Sequence, residues 1–291
     1  MMPTKENSLE ENVLPFETDY LPDFVLKKAV VELNETSENK VQMLESLKEL
    51  ASDLGKIADF IFEDDFLRVF LRYSKYNISK AFAQLRNFVH FRRKYDSLFE
   101  SIPEEYFVTK KSAEFFSVLP YRDSHGCTLV LLELGKWDPA ELHIDDFKRL
   151  TLAVYLQVLR DPMTQINGFQ VIHDFSGTSI EHLRYCTPQN LYFLYHGALN
   201  CFPTRYKGIH MVNESVVLKA LWAIIKNFLP EKLKKRILFH SNPKDLLNFF
   251  PPSILPTQYG GDLIHYHNKN MIKKMNAEFG KSPFGGDPNF Y

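Results

Sequence analysis

Four short apolar runs punctuate the middle of the chain: CTLVLLEL (127–134), GFQVIHDF (168–175), KGIHMVNE (207–214) and RILFH (236–240). Each gap between them holds a segment long enough for a helix. Strands separated by helices cannot pair as hairpins. They need crossover connections, which dictates a mainly parallel sheet covered by helices. Asp145-Asp146 open one such helix, running to about Arg160. Thr187-Pro188 start another, to about Asn200, with proline in the first turn. An oily helix at 215–229 is followed by a basic one at 231–236, and Lys244 to Phe250 form a last helix. The first third shows no strand pattern. Helices are expected at 39–62, at 64–73 with an acidic start, and from Asn77-Ile78-Ser79 to near Leu98. The fold class is therefore α/β behind a helical N-terminal unit. The expected divisions are a flexible leader (1–20), a helical unit (21–102), an α/β domain (103–267) and a C-terminal tail (268–291).

The 291 residues suffice for a substantial core, and 45% hydrophobic with 24% charged residues is ordinary for a globular protein. Val216 to Leu229 is the longest apolar stretch. Lys219 and Lys226 interrupt it, and it falls short of the ~20 residues a membrane span needs. The N-terminus lacks the apolar core of a signal peptide. Cys127, Cys186 and Cys201 are odd in number and far apart, which points to reduced thiols rather than to a disulfide framework or a zinc site. The net charge of −1 hides an asymmetry. Residues 1–65 carry 6 basic and 16 acidic side chains, a balance of −10, and the remainder carries +9. A basic body behind an acidic leader fits an anionic partner such as phosphate or a lipid surface.

The motifs of common α/β enzymes are missing. There is no G-x-x-x-x-G-K-[ST] loop, no G-x-G-x-x-G after a strand and no G-x-S-x-G elbow. Asp174 ends a strand, where α/β sites gather, but its neighbour His173 points to the opposite face. Asp174 is expected to cap a loop or backbone group. His265 and His267 form an H-x-H pair, and His143 lies near Asp145 and Asp146. None has an evident third ligand, so no metal site is assigned.

The oily helix carries Leu218, Leu221, Trp222, Ile225, Phe228 and Leu229 at helical spacing. Two readings fit: a helix packed in the core, or a movable lid over a greasy cavity or at a membrane interface. Lys226, Lys232, Lys234, Lys235 and Arg236 follow it with one acid, Glu231. Lys232 and Arg236 share one helical face. Arg205 and Lys207 come just before the third apolar run. Such bases can hold anionic headgroups, each worth ~1 kcal/mol near a charged leaflet.

The segments FLRYSKYNISKAFAQLRNFVHFR, WDP (137–139), NGFQVIHDF, FPTRYKGIHMVNE, IKNFLPEKLKKRI and ILPTQYGGDL, in this order, resemble the CRAL-TRIO lipid-binding family. Within it they are most similar to the tocopherol- and retinaldehyde-binding members. The resemblance covers about 64–263. It implies an internal hydrophobic pocket gated by a helix, roughly Glu214 to Leu229, with Val217, Leu218, Leu221, Trp222, Ile225 and Phe228 on the gate. The pocket positions it implies are Leu150, Val154, Phe169, His173, Gly197 and Ile209. At 173 this chain has His in place of the family's Phe, which adds a hydrogen-bonding group. Arg205, Lys207, Lys232 and Arg236 match the family's phosphoinositide-binding bases. A further family arginine falls on Ser74, beside Arg72 and Lys75.

What the resemblance implies is a lipid carrier rather than an enzyme. It would enclose one non-covalent hydrophobic ligand, tocopherol-, retinoid- or other isoprenoid-like, and exchange it at phosphoinositide-containing membranes. No other cofactor and no nucleic acid is expected. The implied location is the cytoplasm, with transient attachment to endosomal or other phosphoinositide-bearing membranes. The alternative is a non-transferring phosphoinositide-binding module acting in membrane trafficking or recruitment. A lipid hydrolase or isomerase finds no nucleophile–base pair in the sequence.

Overall fold

A computed structural model describes residues 21–58, 62–99 and 111–267. The expected leader, the tail and the boundary near residue 102 lie outside the described residues. Four helices come first: α1 (Asp23–Leu33), α2 (Ser37–Ala58), α3 (Asp64–Tyr73) and α4 (Ile78–Lys94). Asn77 starts α4 by accepting a hydrogen bond from the Lys80 amide at 3.0 Å. The sequence pattern does not single out α1. Its Val25, Ala29 and Leu33, four residues apart, pack on Met163 and Ile166.

The strands are β1 (Phe116–Val118), β2 (Thr128–Glu133), β3 (Phe169–Asp174), β4 (Tyr206–Val212) and β5 (Ile237–Phe239). They lie side by side in chain order, with β1 antiparallel to β2 and the rest parallel. Three-residue β1 is too short to show a period and was not expected. The connections are α5 (Ile144–Leu159) and α6 (Pro162–Asn167), then α7 (Ile180–Leu183) and α8 (Pro188–His196), then α9 (Val216–Ile225) and α10 (Glu231–Lys234). With the right-handed crossovers that parallel strands adopt, this order puts the connecting helices on one face of the sheet.

Strand alternation then sorts the core. Val130, Leu132, Phe169 and Val171 face the helices and share one continuous cluster with Leu47, Phe66, Phe70 and Phe88 of the N-terminal helices. Leu129, Leu131, Ile172 and Val212 face the other way. They are covered by Leu246, Phe250, Leu255 and Tyr259 of the C-terminal segment. The helix expected at 244–250 is a tighter 3₁₀ turn, Pro243–Asn248, in that cover.

Two further ties fix the frame. Arg72 donates to Glu35 from Nε (2.9 Å) and Nη2 (2.8 Å) and also reaches Gln165, so the start of α2, α3 and α6 are clamped together out of solvent. Gly168 sits at φ 90°, and a Cβ there would lie 2.3 Å from the Arg205 carbonyl oxygen. Only glycine lets β3 begin this close to the chain entering β4.

Candidate functional site

The helix face of the sheet is not filled. A cavity of about 330 Å³ lies between it and the connecting helices. Leu132, Val171, His173, Ile209 and Met211 form its floor. Phe147, Thr151, Leu152 and Tyr155 line it from α5, and Leu191, Leu194 and Tyr195 from α8. Val217, Leu218, Leu221, Trp222 and Ile225 of α9 close it. The cavity exists because β3 and β4 turn alternate residues toward helices that stand off the sheet, while α9 spans the gap with one apolar face.

The closing helix is anchored firmly at its start. Ser215 caps it by accepting from the Leu218 amide at 3.1 Å, and Thr178 donates to the Ser215 hydroxyl at 2.9 Å. Just before it, Asn213 adopts a left-handed φ of 59° and donates to Asp174 at 2.7 Å. Asp174 also accepts from the Ser176 amide (2.7 Å) and the Tyr259 hydroxyl (2.6 Å), so it is the loop-capping residue the sequence suggests. At its far end α9 stops at Ile225, earlier than expected, and a turn leads to Pro230. There the Tyr195 hydroxyl holds the Phe228 carbonyl. The outer side of this region carries apolar side chains too, beside exposed Lys219 and Lys226: Val216 is 67% exposed, Ile224 45% and Phe228 61%.

A cluster of cations lies at the other end of the sheet. Arg205, whose Nη1 donates to the Ile166 carbonyl (2.8 Å), and Lys207 flank the start of β4, and Arg236 reaches the Tyr206 carbonyl. Burial, reinforced by Arg236, lowers the Arg205 pKa. Burial, then Arg205, lowers that of Lys207. These are like charges held together. Glu32 of α1 faces them, 3.8 Å from Arg205 and 3.7 Å from Lys207. Sequence spacing could not reveal this contact. Lys232 is exposed on α10, with no ion-pair partner among the described residues.

A profile of the CRAL/TRIO domain family matches residues 113–261. The chain belongs to the CRAL-TRIO family. It is 31% identical to Clavesin-1 of Rattus norvegicus over 248 residues, covering 84% of this chain and 70% of that one. It is 30% identical to Clavesin-2 of Homo sapiens over 244 residues, covering 83% and 75%. The crystal structure of Sfh5 shares the fold, with a TM-score of 0.53 at 12% identity, over 87% of this chain and 95% of that one.

Several positions carried over from CRAL-TRIO relatives lie on the cavity wall: His173, Gly197, Ile209, Val217, Leu218, Leu221, Trp222 and Ile225. Others do not. Leu150 and Val154 are buried in the core behind the wall, whereas Thr151 and Tyr155, each one position on, are among the lining residues of α5. A helix rotates by about 100° per residue, so a slip of one changes the face. Phe169 faces the same way as Val171 and His173 but lies outside the cavity lining, against Tyr155 with ring centroids 5.6 Å apart. Phe228 points to solvent. Met211, missed by sequence reasoning, follows from period two after Ile209. Arg72 is committed to Glu35 and cannot stand in for the CRAL-TRIO arginine at Ser74, whereas Lys75 is exposed.

Two serine–histidine contacts escape a sequence reading. Ser117 Oγ lies 2.7 Å from His267 Nδ1, and Glu133 lies 3.8 Å from Nε2. Ser117 is only 2% exposed, so this trio ties the C-terminal segment to the sheet rather than meeting a substrate. Ser179 and His182 form the capping box of α7. His265 is exposed while His267 turns to Ser117, and His143 caps α5. Among the described residues no group of three or more His, Cys, Asp or Glu is placed to hold a metal ion. Cys127 and Cys201 are buried free thiols whose pKa burial pushes up to about 12. No helix among the described residues is long and apolar enough to cross a membrane.

Proposed function

We propose that this CRAL-TRIO protein is a lipid carrier rather than an enzyme. It encloses one hydrophobic ligand, tocopherol-, retinoid- or other isoprenoid-like, and exchanges it at phosphoinositide-containing membranes. One observation carries the reading: a cavity of about 330 Å³ with an apolar wall, closed by a helix that also turns apolar side chains outward. An apolar cavity of about 150 Å³ holds a benzene ring. The space here suits a ring with a chain better than a diacyl lipid. Burial of such a ligand gains about 25 cal/mol per Å² relative to water, so the cavity competes with a bilayer.

The outer side of α9 and of the turn after it supports membrane contact during exchange. Val216, Ile224 and Phe228 gain by entering an interface, and that gain opens the lid. Arg205, Lys207, Lys232 and Arg236 support the choice of an anionic surface, and phosphoinositide is the headgroup proposed. Headgroup binding must favour the open form to shift the population. The working location is then the cytoplasm, with transient visits to endosomal or similar membranes.

The test is transfer of a fluorescent isoprenoid between vesicles, with and without phosphoinositide, for the wild type and a Lys232→Glu/Arg236→Glu variant. Faster transfer to phosphoinositide vesicles by the wild type alone is expected. Equal rates in all four arms refute the exchange mechanism. Stable membrane residence without transfer favours the recruitment module instead.

A further inference from the structure

Most polar side chains on the cavity wall are already occupied within the protein. Thr151 donates to the Phe147 carbonyl at 2.8 Å, Lys148 to Asp145 at 3.0 Å, and Tyr195 to the Phe228 carbonyl. The Tyr155 hydroxyl meets that of Tyr206. His173 differs. Its neighbours across the sheet are Leu132 on one side and Met211 on the other. No group among the described residues hydrogen-bonds its ring, and burial is what acts on its proton affinity, lowering the pKa to about 4. It is a neutral imidazole, with one donor and one acceptor, set in an apolar floor. A polar group enclosed without a partner is unfavourable until something pairs with it.

We propose that His173 selects the ligand: a lipid with one uncharged oxygen function, a hydroxyl or carbonyl, seated against its imidazole. The inference rests on the cavity being the lipid site. A hydroxyl suits either tautomer, because it both donates and accepts. A carbonyl accepts from the ring N–H. A carboxylate would bring a charge against a neutral ring, and the cation on the wall, Lys148, is engaged by Asp145. A charged phospholipid headgroup fails for the same reason.

Three lipids of one carbon skeleton test this: phytol, phytane and phytanic acid. The full chain is equilibrated with phosphatidylcholine vesicles carrying each lipid. Vesicles are then removed, and protein-bound lipid is measured by mass spectrometry. The variants are His173→Phe, which keeps an apolar ring, and His173→Gln, which keeps a neutral hydrogen-bonding group. Comparing variants with the wild type cancels each lipid's preference for the bilayer. The phytol-to-phytane uptake ratio should fall roughly tenfold in His173→Phe, the scale of one lost hydrogen bond in an apolar site. It should be largely retained in His173→Gln. Phytane uptake by His173→Phe should match or exceed that of the wild type, which also shows that this variant folds. An unchanged ratio, with both lipids bound, overturns the role of His173 and leaves the cavity reading standing. Wild-type preference for phytanic acid overturns it too and points to Lys148. Uptake of no lipid by any of the proteins defeats the cavity reading itself.

Discussion

Occupancy of the cavity should control the stability of the whole protein. In protein cores, residual cavity volume costs about 24 cal/mol per Å³. For about 330 Å³ the corresponding figure is about 8 kcal/mol. That is an upper bound, because α9 is free to settle inward and water can enter past it. It is comparable to the total stability of an ordinary domain, about 5–15 kcal/mol. It also matches the free energy of a Kd near ~1 μM. At roughly 2–4 °C per kcal/mol for a chain of this size class, complete filling raises Tm by up to about 15–30 °C. The perturbation is removal of bound lipid by extraction, followed by reloading with phytol. The assay is thermal unfolding of both forms, with occupancy confirmed by native mass spectrometry. A rise of at least about 5 °C on loading is expected even if α9 recovers most of the loss. A shift below about 2 °C at full occupancy refutes the reasoning, since the folded chain would then already fill that space with its own side chains.

Other outcomes follow from particular contacts. Glu32→Gln removes the acid facing Arg205 and Lys207 and should raise affinity for phosphoinositide vesicles about fivefold, more at low salt, in a sedimentation assay. Phe228→Ser alters a 61% exposed side chain, so stability should change by less than about 0.5 kcal/mol. Vesicle transfer by the same variant should slow roughly tenfold, from the loss of one buried aromatic in the interface. The pH dependence comes from His173 and His210, both lowered to about 4, by burial and, for His210, also by His240. Each ring takes a proton near pH 6.5 in the unfolded chain and resists it in the fold. Their contribution is intact above pH 6.5 and is lost as pH falls toward 4. Urea unfolding should show a loss of about 2 kcal/mol per ring between pH 6.5 and 5. A flat profile over that range refutes the assignment.

The pattern of runs and gaps in the sequence sufficed for β2 to β5 and for α5, α8, α9 and α10, because period two and period 3.6 are local properties; the short α6 and α7 span too few residues to show a period. Asn77 and Thr187 sit at helix starts for the same local reason: each side chain caps an amide three residues on. The gate helix and the basic residues were visible as an apolar stripe and a cation run. Their roles came from family resemblance, since a stripe looks the same whether it faces a core or a cavity. On α5 the resemblance slipped by one residue. Leu150 and Val154 are as apolar as the lining itself, so composition could not correct the register.

The sequence by itself determined the α/β class, the order of the four parallel strands and the longer helices between them, and the presence of an amphipathic helix beside a cluster of bases. These rest on propensity, capping and periodicity, which act over a few residues. Only the tertiary structure decided that the helices stand off the sheet and leave a void, and that α1 brings Glu32 to Arg205 and Lys207 across more than 170 positions. It also decided that His173 looks into that void with no hydrogen-bond partner among the described residues. Such features depend on how distant surfaces meet in space, and no run of neighbouring residues records that distance.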